Sequence, residues 1–112
     1  MPAGLNRLLP ASATALAASV FTAAPSLAGD RALGEYLSAE CVTCHQITGR
    51  VTGAIPSIIG WPDDQFVAVL VSYKRKEREN QVMQTLAARL SEDEMAALAA
   101  YFGSLPYQPR IP

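Results

Sequence analysis

Cys41-Val42-Thr43-Cys44-His45 holds both cysteines of the chain and its only histidine. The pattern is C-x-x-C-H, the attachment signature of a c-type haem. Two thiols three positions apart near a helix end can each form a thioether with a vinyl group on one edge of a porphyrin. The next residue, His45, then projects under the ring and can offer an imidazole nitrogen to iron. Covalent links of this kind let a very small protein hold its cofactor. Two other readings stay open. A C-x-x-C pair can be a redox disulfide, which expects a βαβ pattern nearby and leaves His45 without a task. A structural zinc site usually draws on more ligands than two Cys and one His.

Upstream of the motif, the first 28 residues read as a secretory leader and not as fold. Met1 to Arg7 is short and carries one positive charge. Leu8 to Ala24 is uncharged and mostly apolar, and Ser26-Leu27-Ala28 puts small residues where a signal peptidase reads. Cleavage is expected after Ala28, with a bacterial periplasmic destination. The rival is a retained membrane anchor. It is disfavoured because Pro10, Pro25 and several Ser and Thr interrupt a stretch that needs about 20 predominantly apolar residues to span. Removing the leader takes one of the nine Lys and Arg residues, leaving eight against ten Asp and Glu and a formal charge of −2. Such a balance argues against nucleic acid as a partner. The 84 residues that follow the leader make one small domain, near the size where a staple, metal or cofactor commonly supplements the core. Export also permits disulfides, so both cysteines need an explanation.

Downstream, the patterning predicts an all-α fold of about four helices with long loops. The first helix is expected from about Asp30, its cap, to Cys44, with Leu33, Tyr36, Leu37 and Cys41 on one side. Gln46 to Gly60 holds Gly49, Gly53, Pro56 and Gly60 and reads as loop. The second helix starts at Trp61-Pro62-Asp63-Asp64, with Pro62 at its first position, and closes on Lys74-Arg75-Lys76. Its β-branched middle, Phe66 to Val71, could also pass for a buried strand, and the end signals decide for helix. Asn80 can cap a short third helix with Met83, Leu86, Ala87 and Leu90 at helical spacing. Ser91-Glu92-Asp93-Glu94 is a capping box for the last helix, striped by Met95, Leu98, Ala99 and Phe102, with Gly103 placed to end it. Pro106 onward is proline-rich; Tyr107 to Pro112 is an extended tail, either frayed or lying on a partner.

A haem bound by His45 poses the question of a sixth iron ligand. A thioether there raises the reduction potential and closes the open position. After the leader the chain offers Met83 and Met95. Each lies on an apolar stripe, where a methionine is ordinarily core packing. Met95 falls in the first turn of a well-capped helix whose stripe has packing of its own to do. Met83 follows the polar Arg78-Glu79-Asn80-Gln81, from which the chain can approach a ring on its second face, so Met83 is the expected ligand.

With these residues in view, the chain resembles the class I cytochrome c family over essentially all of Gly29 to Pro106. The resemblance rests on the attachment motif, Ile55-Pro56-Ser57, Met83 and the closing helix from Leu90 to Phe102. It implies that the first and last helices cross closely, with Gly34 facing Tyr101. It also implies that the Pro56 carbonyl accepts the second N–H of the axial histidine, fixing the imidazole's orientation and basicity. A narrower likeness exists to the cytochrome subunits of flavocytochrome c sulfide dehydrogenases, in Ile55-Pro56-Ser57-Ile58-Ile59, Ser72-Tyr73-Lys74, Met83 and Ala100-Tyr101-Phe102 running on to Tyr107-Gln108-Pro109. It implies a flavoprotein partner that donates electrons. Two departures stand out. Those subunits often carry two haem domains and this chain has one motif, and the residue after the axial histidine is commonly Gly where this chain has Gln46.

Three other features take ordinary readings first. Trp61 is packing at a helix start that can also donate its indole N–H to a haem propionate. Asn80 is a cap that can also reach the Met83 sulfur. The cations from Lys74 to Arg78 are interspersed with Glu77 and read as a solvated helix end. The expected function is one-electron transfer as a haem subunit fed by a flavoprotein, without enzymatic chemistry of its own. The alternatives are a free-standing electron shuttle and a haem enzyme with an open sixth position.

Overall fold

The computed structural model describes residues 3, 4, 6, 8–22 and 29–108. The expected cleavage site, Ser26-Leu27-Ala28, and the tail end, Pro109 to Pro112, lie outside them. Residues 8–22 carry neither helix nor strand and are exposed. Among the described residues no helix is long and apolar enough to cross a membrane.

The fold is all-α: α1 (Arg31–Leu37), a 3-10 turn (Ser38–Glu40), α2 (Asp63–Lys74), α3 (Gln81–Ala88) and α4 (Glu92–Ser104). One isolated bridge pairs Thr52 with Ile55 in place of any strand among the described residues. Asp30 caps α1 by accepting from the N–H groups of Ala32 and Leu33 at 3.0 and 3.1 Å. The helix is shorter than its pattern predicts. The Ser38 hydroxyl bonds back to the Glu35 carbonyl at 2.6 Å, and such back-bonding competes with the helical ladder. The chain tightens into the 3-10 turn there. The inward face also differs from expectation. Tyr36 is 80% exposed and Leu33 is exposed, whereas Gly34 and Ser38 are buried and Leu37 and Cys41 half-buried.

The reason is how α1 meets α4. A methyl group built on Gly34 would overlap the Ala97 carbonyl and come within 2.8 Å of Tyr101 Cβ. Backbone approaches backbone at that crossing, so Gly34 and not a leucine marks the centre of the contact. The expected pairing of Gly34 with Tyr101 is present, and Ala97 completes it.

The two acidic residues Asp63 and Asp64 occupy the first turn of α2, with Pro62 at the cap rather than the first helical position. The helix wins over the strand reading because both ends carry helix chemistry. At its far end Lys76 adopts φ 58°, while Lys76 N–H donates to Tyr73 O and Glu77 N–H to Ser72 O, at 3.0 and 2.9 Å. This is a Schellman ending, with lysine in the left-handed position that glycine usually fills. The Lys74 ammonium also donates to the Leu90 carbonyl, tying the end of α2 to the start of α4. Ser91 and Glu94 form the capping box of α4. That helix runs through Gly103 to Ser104. Gly103 does not stop it; a side chain there would press on the Trp61 carbonyl and the Asp63 carboxylate at 3.1 Å, so its smallness serves the α2–α4 approach.

The core gathers Ile59, Phe66, Leu70, Met95, Leu98, Ala99, Tyr101 and Phe102. Phe66 stacks on Phe102 at 5.8 Å, and Trp61 meets Phe66 edge-on at 6.4 Å. Each fully buried large side chain here contributes about 1.5–3 kcal/mol.

Candidate haem site

The motif follows directly from the 3-10 turn. Cys41 and Val42 N–H groups donate to Ser38 O, and those of Cys44 and His45 donate to Cys41 O, all between 2.9 and 3.2 Å. Two helical turns therefore carry the chain from α1 through the motif. Cys41 is half-buried, Cys44 exposed, and both thiols are free. Burial, and then the neighbouring Glu40 carboxylate, push the Cys41 thiol up to about 11. A redox-active thiol needs the opposite setting, an electropositive one that favours thiolate. Nor is there a βαβ unit among the described residues. Both observations go against the redox-disulfide reading. The zinc reading fails on geometry, because no three or more His, Cys, Asp or Glu side chains among the described residues are placed to share a metal ion.

His45 is buried at 9% exposure, and its Nδ1 lies 2.8 Å from the Pro56 carbonyl oxygen. A carbonyl only accepts, so Nδ1 carries the proton, and Nε2 is the ring nitrogen available to a metal. That is the tautomer a metal-ligating histidine requires. Pro56 thus stands where the resemblance placed it.

The loop that presents Pro56 is held from both sides. Gln46 Nε2 donates to Thr52 Oγ1 at 2.7 Å, and Ile55 N–H to Thr52 O at 3.1 Å. Gly49 turns with φ 80° and is buried beneath the Tyr107 ring and Ile59. Gln108 N–H donates to Thr48 O at 2.8 Å. The first part of the tail therefore lies on its own chain, along the loop that follows His45. No sequence signal pointed to that contact, because an exposed Tyr-Gln pair has no periodicity to read.

The two methionines part clearly. Met95 is fully buried in the core, and Met83 packs against that core while keeping part of its surface. Asn80 Oδ1 accepts from Met83 N–H at 3.0 Å, so the expected cap starts α3 three residues before Met83. Trp61 is half-buried at the approach to α2. Arg89 and Glu40 form an ion pair at 2.9 Å between the end of α3 and the residue before Cys41, both well exposed. Surface pairs of this kind contribute about 0–1 kcal/mol. Two surface hollows, of about 390 and 430 Å³, are lined by Tyr36, Leu37, Leu86 and Leu90 with their neighbours, and by Lys76, Gln81, Gln84 and Thr85 with theirs. Neither takes a wall from Cys41, Cys44, His45 or Met83.

These residues fit a covalently attached haem: two free thiols on adjacent turns, a buried imidazole with one nitrogen engaged and the other open, and a thioether with part of its surface uncovered. Comparison with known proteins agrees. The cytochrome c family model matches residues 32–106. The chain is 35% identical over 72 residues to the cytochrome subunit of sulfide dehydrogenase of Chlorobaculum tepidum, covering 64% of this chain and 66% of that protein. It is 30% identical over 90 residues to cytochrome c-554(547) of Halothiobacillus neapolitanus, covering 70% and 99%. With cytochrome c-554(548) of Halomonas halodenitrificans it shares 31% over 81 residues, covering 69% and 98%. A match of that extent, on residues that fit the cofactor, makes the chain a member of the cytochrome c family: an electron carrier rather than an enzyme, with one covalently bound c-type haem.

Proposed function

We propose that the chain works in the bacterial periplasm as a one-electron carrier that receives electrons from a flavoprotein subunit of the sulfide dehydrogenase type. Cys41 and Cys44 would hold the haem by thioethers, and His45 Nε2 and the Met83 sulfur would bind its iron. The single observation that carries the site is the buried His45 ring with Nδ1 committed to Pro56 O at 2.8 Å, one residue beyond the thiol pair. Haem, when bound, supplies an iron that alternates between two oxidation states. What this chain's residues contribute is a ligand set that stays the same in both states, so little rearrangement accompanies each transfer. Asn80, whose Oδ1 is taken by the Met83 N–H, has its amide N–H left to donate toward the Met83 sulfur. Trp61 offers its indole N–H to a haem propionate.

The partner assignment rests on the likeness to the cytochrome subunit of sulfide dehydrogenase. A free-standing shuttle is the second reading, supported by two c-554 cytochromes that the chain matches along nearly their whole length. An absorption spectrum of the protein purified gently from its own host, before and after sulfide, separates the two. Haem and flavin bands together, with sulfide reducing the haem, are expected. A haem spectrum alone, unmoved by sulfide, contradicts the flavoprotein assignment and favours the shuttle.

A further inference from the structure

Gln46 follows His45 directly in the chain, and its side chain is engaged. Nε2 donates to Thr52 Oγ1 at 2.7 Å. Thr52 opens a tight turn closed by Ile55 N–H on Thr52 O at 3.1 Å, with the two residues paired as an isolated bridge. The next residue is Pro56, whose carbonyl meets His45 Nδ1. The atoms form a closed ring: from His45 to Gln46 along the chain, across to Thr52, along the turn to Pro56, and back to His45. Apart from the His45–Pro56 bond itself, Gln46–Thr52 is the one hydrogen bond among the described residues that joins the 45–50 leg of this loop to the 51–58 leg. Packing adds little to the turn itself, since Val51, Thr52, Gly53 and Ala54 are exposed, whereas Ile55, Ser57 and Ile58 beyond it are half-buried.

We infer that Gln46 is a positioning residue for His45: by bracing Thr52 it holds the Pro56 carbonyl on Nδ1 and so sets the electron-donating strength of Nε2. The inference rests on the reading of His45 as an iron ligand. A carbonyl held firmly on Nδ1–H makes the imidazole more basic. A more basic ligand favours the oxidised, more positive iron and lowers the potential. Loosening the brace raises it.

The test uses haem-loaded protein carrying Thr52→Val, which keeps the shape and removes the acceptor, Gln46→Leu, which removes the donor, and Thr52→Ser, which retains the hydroxyl. Two quantities are read: the midpoint potential, and the hydrogen-exchange rate of the His45 Nδ1–H by NMR of the reduced protein. Thr52→Val and Gln46→Leu are each expected to shift the redox equilibrium about two- to threefold toward reduction, roughly 20–30 mV upward for one electron. Exchange accelerates about fivefold, the factor given by one hydrogen bond of ordinary net strength. The double variant goes no further than either single one, and Thr52→Ser behaves as the parent. Should one variant fail to fold, the other reads the same brace from its opposite end. Unchanged potential and exchange, with histidine ligation intact in the spectrum, overturn the brace. A parent protein whose iron is not bound by His45 overturns the ligand reading instead, and the inference with it.

Discussion

Met95 loses all of its exposure beside Leu98 and Phe102, while Met83, at the start of a short helix, keeps part of its surface. A thioether needs lone pairs directed at iron, and a sulfur enclosed by hydrocarbon has none to direct outward. Met83→Ala is therefore expected to lower the reduction potential and open the iron to added ligands such as cyanide, as read by redox titration and ligand-binding spectra. Met95→Leu keeps the core volume; it should cost less than about 1.5 kcal/mol in denaturant unfolding and leave the potential where it was. An unchanged potential in Met83→Ala would remove that residue from the role. At this scale the attachment motif was legible at once, since no other residue competes with His45. The choice of methionine came from patterning around each one. The Gln46–Thr52 bond was not legible, because a side-chain bond across a loop depends on where the loop folds back and no spacing rule encodes that.

Among the elements, α4 was the clearest in the sequence because its start is decided locally. Ser91 and Glu94 satisfy each other's backbone donors, at 3.2 Å for Glu94 N–H on Ser91 Oγ and 2.8 Å for Ser91 N–H on Glu94 Oε2. The end of α4 was misjudged for the opposite reason. Gly103 answers to the Trp61 carbonyl across the fold, a tertiary demand that looks like a local stop signal. The inward face of α1 misled in the same way: periodicity counts apolar side chains, and the crossing with α4 selects the absence of one. The ending of α2 gives a test of stored strain. Lys76 at φ 58° holds a conformation that costs a residue with a Cβ about 1 kcal/mol or more. The position makes no backbone demand that glycine cannot meet. Lys76→Gly is expected to stabilise the haem-loaded protein by about 0.5–1 kcal/mol in denaturant unfolding. A loss of stability of that size would mean the lysine side chain contributes more than the backbone strain removes.

Across the whole molecule, α1 and α4 cross at Gly34, Ala97 and Tyr101, and α2 packs Phe66 on Phe102. These contacts hold the motif at the end of α1 and the Ile59 end of the loop against one core. Met83 reaches the same core from α3. The parts that would meet a haem are thus tied to a common body, although 35 residues lie between Cys44 and Asn80. The tail's first residues close over Gly49 and Thr48, so the loop after His45 is held by the last described stretch of the chain. The leader and the periplasmic destination were read from charge and hydropathy order alone. All of this serves one claim, that Cys41 and Cys44 carry a covalent haem. The most direct measurement is the intact mass, under denaturing conditions, of the protein isolated from its own host, alongside Cys41→Ala and Cys44→Ala variants. The expected mass of the parent is that of the polypeptide plus one haem, with the addition confined to peptides containing the 41–45 motif and its double attachment lost in each variant. A parent mass equal to the polypeptide alone, with both thiols free or joined in a disulfide, would contradict the account.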